Sequence, residues 1–215
     1  MGHAPYISRL SLTGFRNYPQ LTLKPDSRPV VLTGPNGAGK STLYEQRVRP
    51  ITDAPFVNAD EIRKERQVQG EELDAYEAAR LAAARRDAYL DEKRSFVTET
   101  VFSHESKLDL IRNAQTQGFR VVIFHVNVQS ADISVARVRF RVTQGGHDVP
   151  EHKIRERYER NKRHIRAAVA LADLAQIFDS SKVNAPARHI LTFKEGELDK
   201  AVGDIPRWAR DIYGV

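Results

Sequence analysis

A chain of 215 residues, 40% hydrophobic and 29% charged, has room for one substantial α/β domain and little for a second. It holds no cysteine, which excludes a disulfide framework and any thiolate metal site and suits the reducing cytoplasm. The balance of 34 Lys and Arg against 28 Asp and Glu leaves a net charge of +6, which suits a polyphosphate ligand as well as nucleic acid.

In chain order, residues 6–13 (YISRLSLT) and 20–24 (QLTLK) read as short strands about a turn at Gly14–Pro19, an N-terminal hairpin set at one edge of the fold. The β-branched run 28–33 (RPVVLT) stops at Gly34 and reads as a buried parallel strand. Lys40–Arg49 is predicted as a helix ended by Pro50. Phe56-Val57 is a second strand running into Asn58-Ala59-Asp60, and a helix begins near Glu61 with Asp60 placed to cap it. Residues 71–94 contain no Gly or Pro and are predicted as one long helix.

Ser95–Glu99 is a third strand. Ser103 is placed to cap the next helix and Gly118 to end it. Phe119–Val126 is a fourth strand; the apolar run there, extended to Val128, is broken by His125 and Asn127, far short of the roughly 20 residues of a membrane span. Ala131–Val142 is helical and breaks at Gly145-Gly146. Pro150 then opens a helix running to about Ala175, and Ile190–Phe193 is a last strand. Strands separated by helices imply a parallel sheet with helices on both faces. The expectation is a three-layer P-loop kinase-like α/β domain over residues 1–215, with a hairpin extension at 6–28 and a lid at about 137–160.

Gly34-Pro35-Asn36-Gly37-Ala38-Gly39-Lys40-Ser41, followed by Thr42, fills every fixed position of G-x-x-x-x-G-K-[ST]. Its glycines let successive backbone N–H groups turn inward around phosphate oxygens, and Lys40 reaches the β and γ phosphates of ATP. The Ser41 hydroxyl is a Mg²⁺ ligand in such a loop, and the helix behind it points its positive end at the anion. Asp60 ends the next strand, on the side of the sheet that faces a ligand crevice, where a carboxylate can take the proton of an acceptor hydroxyl. Glu99 and Thr100 end the third strand and face the same crevice. His147 is read as lid packing, because no second ligand stands at suitable spacing. From Arg137 to Arg166 the chain is crowded with arginine and lysine, most of which read as a solvated helical face.

GPNGAGKSTL (34–43), FVNADEIR (56–63), FVTETVFS (96–103), GFRVVIFHV (118–126) and RVRFRVTQGGHDVPEHKIRERYER (137–160) together resemble the zeta-toxin family of P-loop kinases. The resemblance spans residues 31–179. It implies ATP and Mg²⁺ as cofactors, transfer of the γ-phosphate to a hydroxyl of a UDP-N-acetylglucosamine-like nucleotide sugar or related small molecule, and an antitoxin partner; neither a membrane nor nucleic acid is expected. It assigns Asp60 the role of base and has Glu99 contact the acceptor or the metal-bound water, with Thr100 beside it. By motif position it singles out Arg141 and Arg157 to stabilise charge on the transferred group, and sets Arg137, Arg155 and Arg160 aside.

Residues 6–40, with FRNY before the P-loop, instead resemble the start of RecF-type ABC ATPases, so the chain reads as a chimera joined near the loop. An ABC-type ATPase needs an LSGGQ-like signature and an apolar strand ending in Asp-Glu. Gln144-Gly145-Gly146-His147 lacks the serine, and the strand ending at Val126 lacks the acidic pair. Two alternatives stay open: a nucleotide-binding chimera without efficient chemistry, and a DNA-associated ATPase. Residues 180–215 carry no readable motif, and Trp208 is read as packing.

Overall fold

The computed structural model describes residues 10–12, 21–23, 30–102, 104–144 and 148–215. The expected turn at Gly14–Pro19, the Ser103 cap, the Gly145-Gly146 break and His147 lie outside the described residues. In chain order the elements are β1 (Leu10–Leu12), β2 (Leu21–Leu23), β3 (Val30–Thr33), α1 (Lys40–Leu43), β4 (Phe56–Val57), α2 (Ala59–Val68), α3 (Ala75–Asp91) and β5 (Val97–Thr100). After these come α4 (Ser106–Thr116), β6 (Val122–Asn127), α5 (Ala131–Thr143), α6 (Glu151–Leu171), β7 (Leu174–Asp179), β8 (Arg188–Lys194), β9 (Glu197–Ala201) and α7 (Arg207–Tyr213).

The main sheet has seven strands in the order β4-β5-β3-β6-β7-β8-β9. The first five run parallel, and β8 and β9 join antiparallel. All six residues of β6 are buried, as a central parallel strand covered on both faces requires. Alternate residues serve opposite layers. Val31, Ile123 and Ile177 join the core beneath α4, α6 and α7. Val122, Phe124, Val126 and Phe178 join the one beneath Leu43 and Val48. Helices on both faces of a mostly parallel sheet make the three-layer P-loop kinase-like fold that the motifs implied.

Several expectations are corrected. The hairpin of β1 and β2 is antiparallel, but it is a two-stranded sheet of its own and not an edge of the main sheet. The helix after the P-loop is α-helical for four residues, then widens into a π turn at Tyr44–Val48 and a 3₁₀ turn at Arg49–Ile51. Pro50 lacks the N–H that would continue the ladder, and Tyr44 stacks on Phe56 of β4 at 3.9 Å between centroids. The single helix expected at 71–94 starts only at Ala75. There Asp74 accepts from the N–H of Tyr76 and Glu77 while Glu77 reaches back to the Asp74 N–H, a capping box that fixes the boundary. The helix after Pro150 ends at Leu171 instead of running to about Ala175, because Leu174–Asp179 pairs with β6 and β8. Strand β9 and helix α7 went unforeseen: β9 is exposed along its length and shows no apolar period, while α7 buries Trp208, Ala209, Ile212 and Tyr213.

Candidate active site

The loop between β3 and α1 is shaped by glycines at two points. Gly34 has φ +152°, and a Cβ there would sit 2.0 Å from the carbonyl oxygen of Val126 on β6. Gly37 has φ +78°, and its Cβ would meet the Ser134 carbonyl at 2.7 Å. Neither position admits a side chain, so the loop's close seat against β6 and α5 depends on both.

Lys40 opens α1 and is buried. Its Nζ donates to the carbonyls of Gly34 (3.0 Å) and Pro35 (3.2 Å) and stands 3.5 Å from Glu99 Oε1. Glu99 Oε2 accepts from Ser41 Oγ at 3.1 Å and from Asn58 Nδ2 at 3.2 Å. The register of β3 with β5 produces this meeting, since Thr33 pairs with Thr100 and Leu32 with Glu99, so both strands end level at the loop. Lys40, Ser41 and Glu99, far apart in sequence, therefore form one cluster.

Asn58 is the member that sequence reasoning missed. Its Oδ1 accepts from the Asp60 N–H at 2.8 Å, which makes Asn58 the N-cap of α2 and moves Asp60 into the first helical turn. The cap expected at Asp60 is thus corrected; an Asn directly before the helical run was the available signal. Freed of capping, the Asp60 carboxylate is exposed and makes no hydrogen bond or ion pair among the described residues. Thr100 lies half-buried at the end of β5, and Asn36 and Thr42 are accessible on the loop and on α1.

The arginines sort by their partners. Arg155 is held by Asp132 and Glu151, Arg160 by Glu156, and Arg139 by Glu151, all on the surface. Arg157, half-buried on α6, makes no such bond among the described residues. Arg141 is exposed in the last turn of α5. Arg137, set aside on motif position, touches the loop. Its Nη1 donates to the Gly37 carbonyl (3.4 Å) and Ser180 Oγ (3.2 Å), and its Nη2 to the carbonyls of Ser180 (2.6 Å) and Lys182 (3.2 Å). Nothing local in a stretch so rich in arginine distinguished it, since both partner segments come from elsewhere in the chain.

Beneath the loop, His125 of β6 is fully buried with Nδ1 2.6 Å from the Tyr213 hydroxyl. Burial, with the charge of Lys40 adding, pushes its pKa down to about 3. A neutral histidine of that kind is a packing and hydrogen-bonding residue at neutral pH. Trp208 packs edge-on against it, and its Nε1 donates to Asp179 Oδ1 at 3.0 Å, in keeping with the packing role read for it.

A phosphate-cradling loop at the C-terminal edge of this parallel sheet defines a nucleotide-binding P-loop protein with a kinase-like fold. The chain belongs to the AAA domain family, whose model matches residues 30–164. An uncharacterized protein of Haemophilus influenzae is 27% identical over 134 residues, 61% of this chain and 93% of that protein. The DNA replication and repair protein RecF of Rhizobium rhizogenes is 60% identical over 45 residues, 21% of this chain; the chain spans 12% of that protein's length. Among solved structures, AvrRxo1-ORF1:-ORF2 with ATP superposes with a TM-score of 0.61 at 13% identity, covering 80% of this chain and 60% of that one. The PezAT chromosomal toxin-antitoxin system of Streptococcus pneumoniae gives 0.57 at 12% identity, with 86% and 78% covered. At these identities the likeness is one of fold. Among the described residues, no helix is long and apolar enough to cross a membrane.

Proposed function

We propose that this chain moves the γ-phosphoryl group of ATP to a hydroxyl of a small molecule of the nucleotide-sugar class, with UDP-N-acetylglucosamine as the first candidate acceptor. The observation that carries the reading is the convergence of Lys40, Ser41 and Asn58 on Glu99, with the unengaged carboxylate of Asp60 two residues beyond Asn58. Lys40 and the loop N–H groups hold the β and γ phosphates. Asp60 takes the acceptor hydroxyl proton, and the oxygen attacks the γ phosphorus in line. The bond to the β–γ bridging oxygen breaks, and ADP leaves with that electron pair. Arg141 and Arg157, which precede and follow Gly145-Gly146 within the lid region at about 137–160, neutralise charge on the group in transit.

The oxygen donors Ser41 Oγ and Glu99 meet at 3.1 Å, a set that suits Mg²⁺, which is commonly held by few protein oxygens together with phosphates and waters. Ser41 would ligate the ion and Glu99 would hold one of its waters; a bound Mg²⁺ would supply positive charge against the phosphates. The toxin-antitoxin setting of the PezAT structure supports looking for an antitoxin partner here. The RecF match over 45 residues supports the second reading, a chimeric nucleotide-binding chain in which the N-terminal segment has altered the acceptor pocket.

The test is incubation of the full chain with ATP and Mg²⁺, with and without UDP-N-acetylglucosamine, followed by mass spectrometry of the sugar nucleotide. A gain of about 80 Da, the mass of one transferred phosphoryl group, that disappears in Lys40→Ala supports the transfer. ATP turnover that ignores the sugar and rises with DNA moves the assignment to the RecF-like reading. Binding without turnover under either condition supports the inactive chimera.

A further inference from the structure

Asp179 ends β7, level with Asn127 of β6, and its side chain is only 11% exposed. Burying a carboxylate is costly unless hydrogen bonds satisfy it. Its Oδ1 accepts from Trp208 Nε1 of α7 at 3.0 Å and from Ser181 Oγ at 2.5 Å, and Arg188 stands 3.9 Å from Oδ2. Ser181 Oγ in turn accepts from the Gln129 N–H at 2.8 Å, and the Ser180 N–H donates to the Asn127 carbonyl at 2.8 Å. The segment leaving β7 is thus pinned on one side by the end of β6 and on the other, through Asp179, by the C-terminal helix.

Arg137 grips that same segment. Ser180 Oγ and the carbonyls of Ser180 and Lys182 accept from its guanidinium, which also reaches the Gly37 carbonyl of the P-loop. Residue 180 touches the loop directly as well, since a Cβ on Gly39 would meet Ser180 Oγ at 3.4 Å. Apolar packing often serves stability as well as a buried charge does, so stability alone is a weak reason for a carboxylate here. We infer that Asp179 is a positioning residue for the nucleotide. Held by Trp208, it fixes Ser180 and Lys182; these set Arg137, and Arg137 holds the P-loop at Gly37 in the shape that receives phosphates. Helix α7 thereby becomes part of the nucleotide site, although none of its residues belongs to a phosphate-binding motif. The inference rests on nucleotide binding by the loop and needs no particular acceptor.

The test is calorimetric titration of the full chain with ADP and Mg²⁺, well below Tm, where no phosphoryl transfer is required. Asp179→Ala should raise the Kd for ADP about tenfold, the scale of one charge-assisted bond. Asp179→Asn keeps an acceptor at Oδ1 and should restore most of the affinity. Trp208→Phe keeps a ring beside His125 but loses the N–H; Kd should rise less, because Ser181 still holds the same oxygen. Ile190→Val, in the core of β8 and outside this network, should lower Tm and leave Kd unchanged. Because Asp179 acts through Arg137, adding Asp179→Ala to Arg137→Ala should change Kd by less than about twofold, whereas independent effects would multiply. Multiplied effects, an unchanged Kd in Asp179→Ala, no rescue by asparagine, or an equal rise in Ile190→Val overturns the inference. A failed kinase assay beside the expected shifts removes the reaction and leaves the positioning role standing; a wild-type chain that does not bind ADP removes both.

Discussion

Glu99 Oε1 stands 3.5 Å from Lys40 Nζ while its other oxygen accepts from Ser41, so one carboxylate holds both side chains through which a P-loop grips phosphate and metal. That carboxylate belongs to the neighbouring strand, not to the loop. Glu99→Gln keeps the shape and the amide contact to Ser41 but removes the charge. Mg²⁺-dependent turnover should fall by roughly 10- to 100-fold, as for other residues that orient a metal's waters, while ATP binding persists. Titration of turnover against Mg²⁺ concentration checks this; an unchanged Mg²⁺ dependence would remove Glu99 from the metal's surroundings.

Gly34→Ala places a methyl where the Val126 carbonyl already lies, 2.0 Å from the new Cβ, in a backbone conformation that L residues rarely adopt. Neither partner is a flexible side chain, so the loop or β6 must move. A stability loss of at least about 2 kcal/mol in urea denaturation is expected, together with loss of ATP binding.

Asn58 and Asp60 should separate stability from chemistry. Asn58→Ala removes the cap of α2 and a donor to Glu99, which should cost about 1 kcal/mol and lower Tm by roughly 2–4 °C. Asp60→Asn should leave Tm unchanged and reduce transfer to the acceptor by about 10²- to 10⁴-fold. Full transfer by a folded Asp60→Asn would end its assignment as the base.

Arg137 ties the P-loop at Gly37 to the segment after β7 at Ser180 and Lys182. Arg137→Ala should raise the ATP concentration needed for half-maximal turnover about tenfold or more, the loss of one to two charge-assisted bonds. Arg137→Lys should not restore it, because an ammonium cannot span the partners that the guanidinium fork reaches. Rescue by lysine would show that only the charge matters.

His125 sets an acid limit on stability. In the unfolded chain it titrates near 6.5, and in the fold near 3, so it is neutral in both states above pH 6.5 and contributes nothing there. As pH falls from about 6 toward 3, the unfolded chain binds a proton that the fold refuses, and stability is lost by up to about 1.4 kcal/mol per pH unit. Urea denaturation at pH 7, 6 and 5 should show this slope reduced by one proton in His125→Gln. An equal slope in the variant would place the acid sensitivity elsewhere.

What the sequence determined by itself is local. The P-loop is readable because phosphate binding needs glycines at fixed offsets and a lysine and hydroxyl directly behind them. Strands β3, β4 and β6 are readable because their apolar runs are short and bounded by Gly, Pro or Asn, and β5 because a short β-branched run follows a charged stretch. Glu99 was singled out because it stands near the end of β5, and Asp60 because it follows closely on β4, although it lies in the first turn of α2. Only the tertiary structure decided the rest. Strand β7 was absorbed into the preceding helix, since LAQIFD becomes a strand through pairing with β6 and β8. Asn58 becomes part of the site through Glu99, 41 residues away, and Arg137 through Gly37 and Ser180. Contacts of that kind depend on which strands and helices lie side by side, and local spacing carries no record of it.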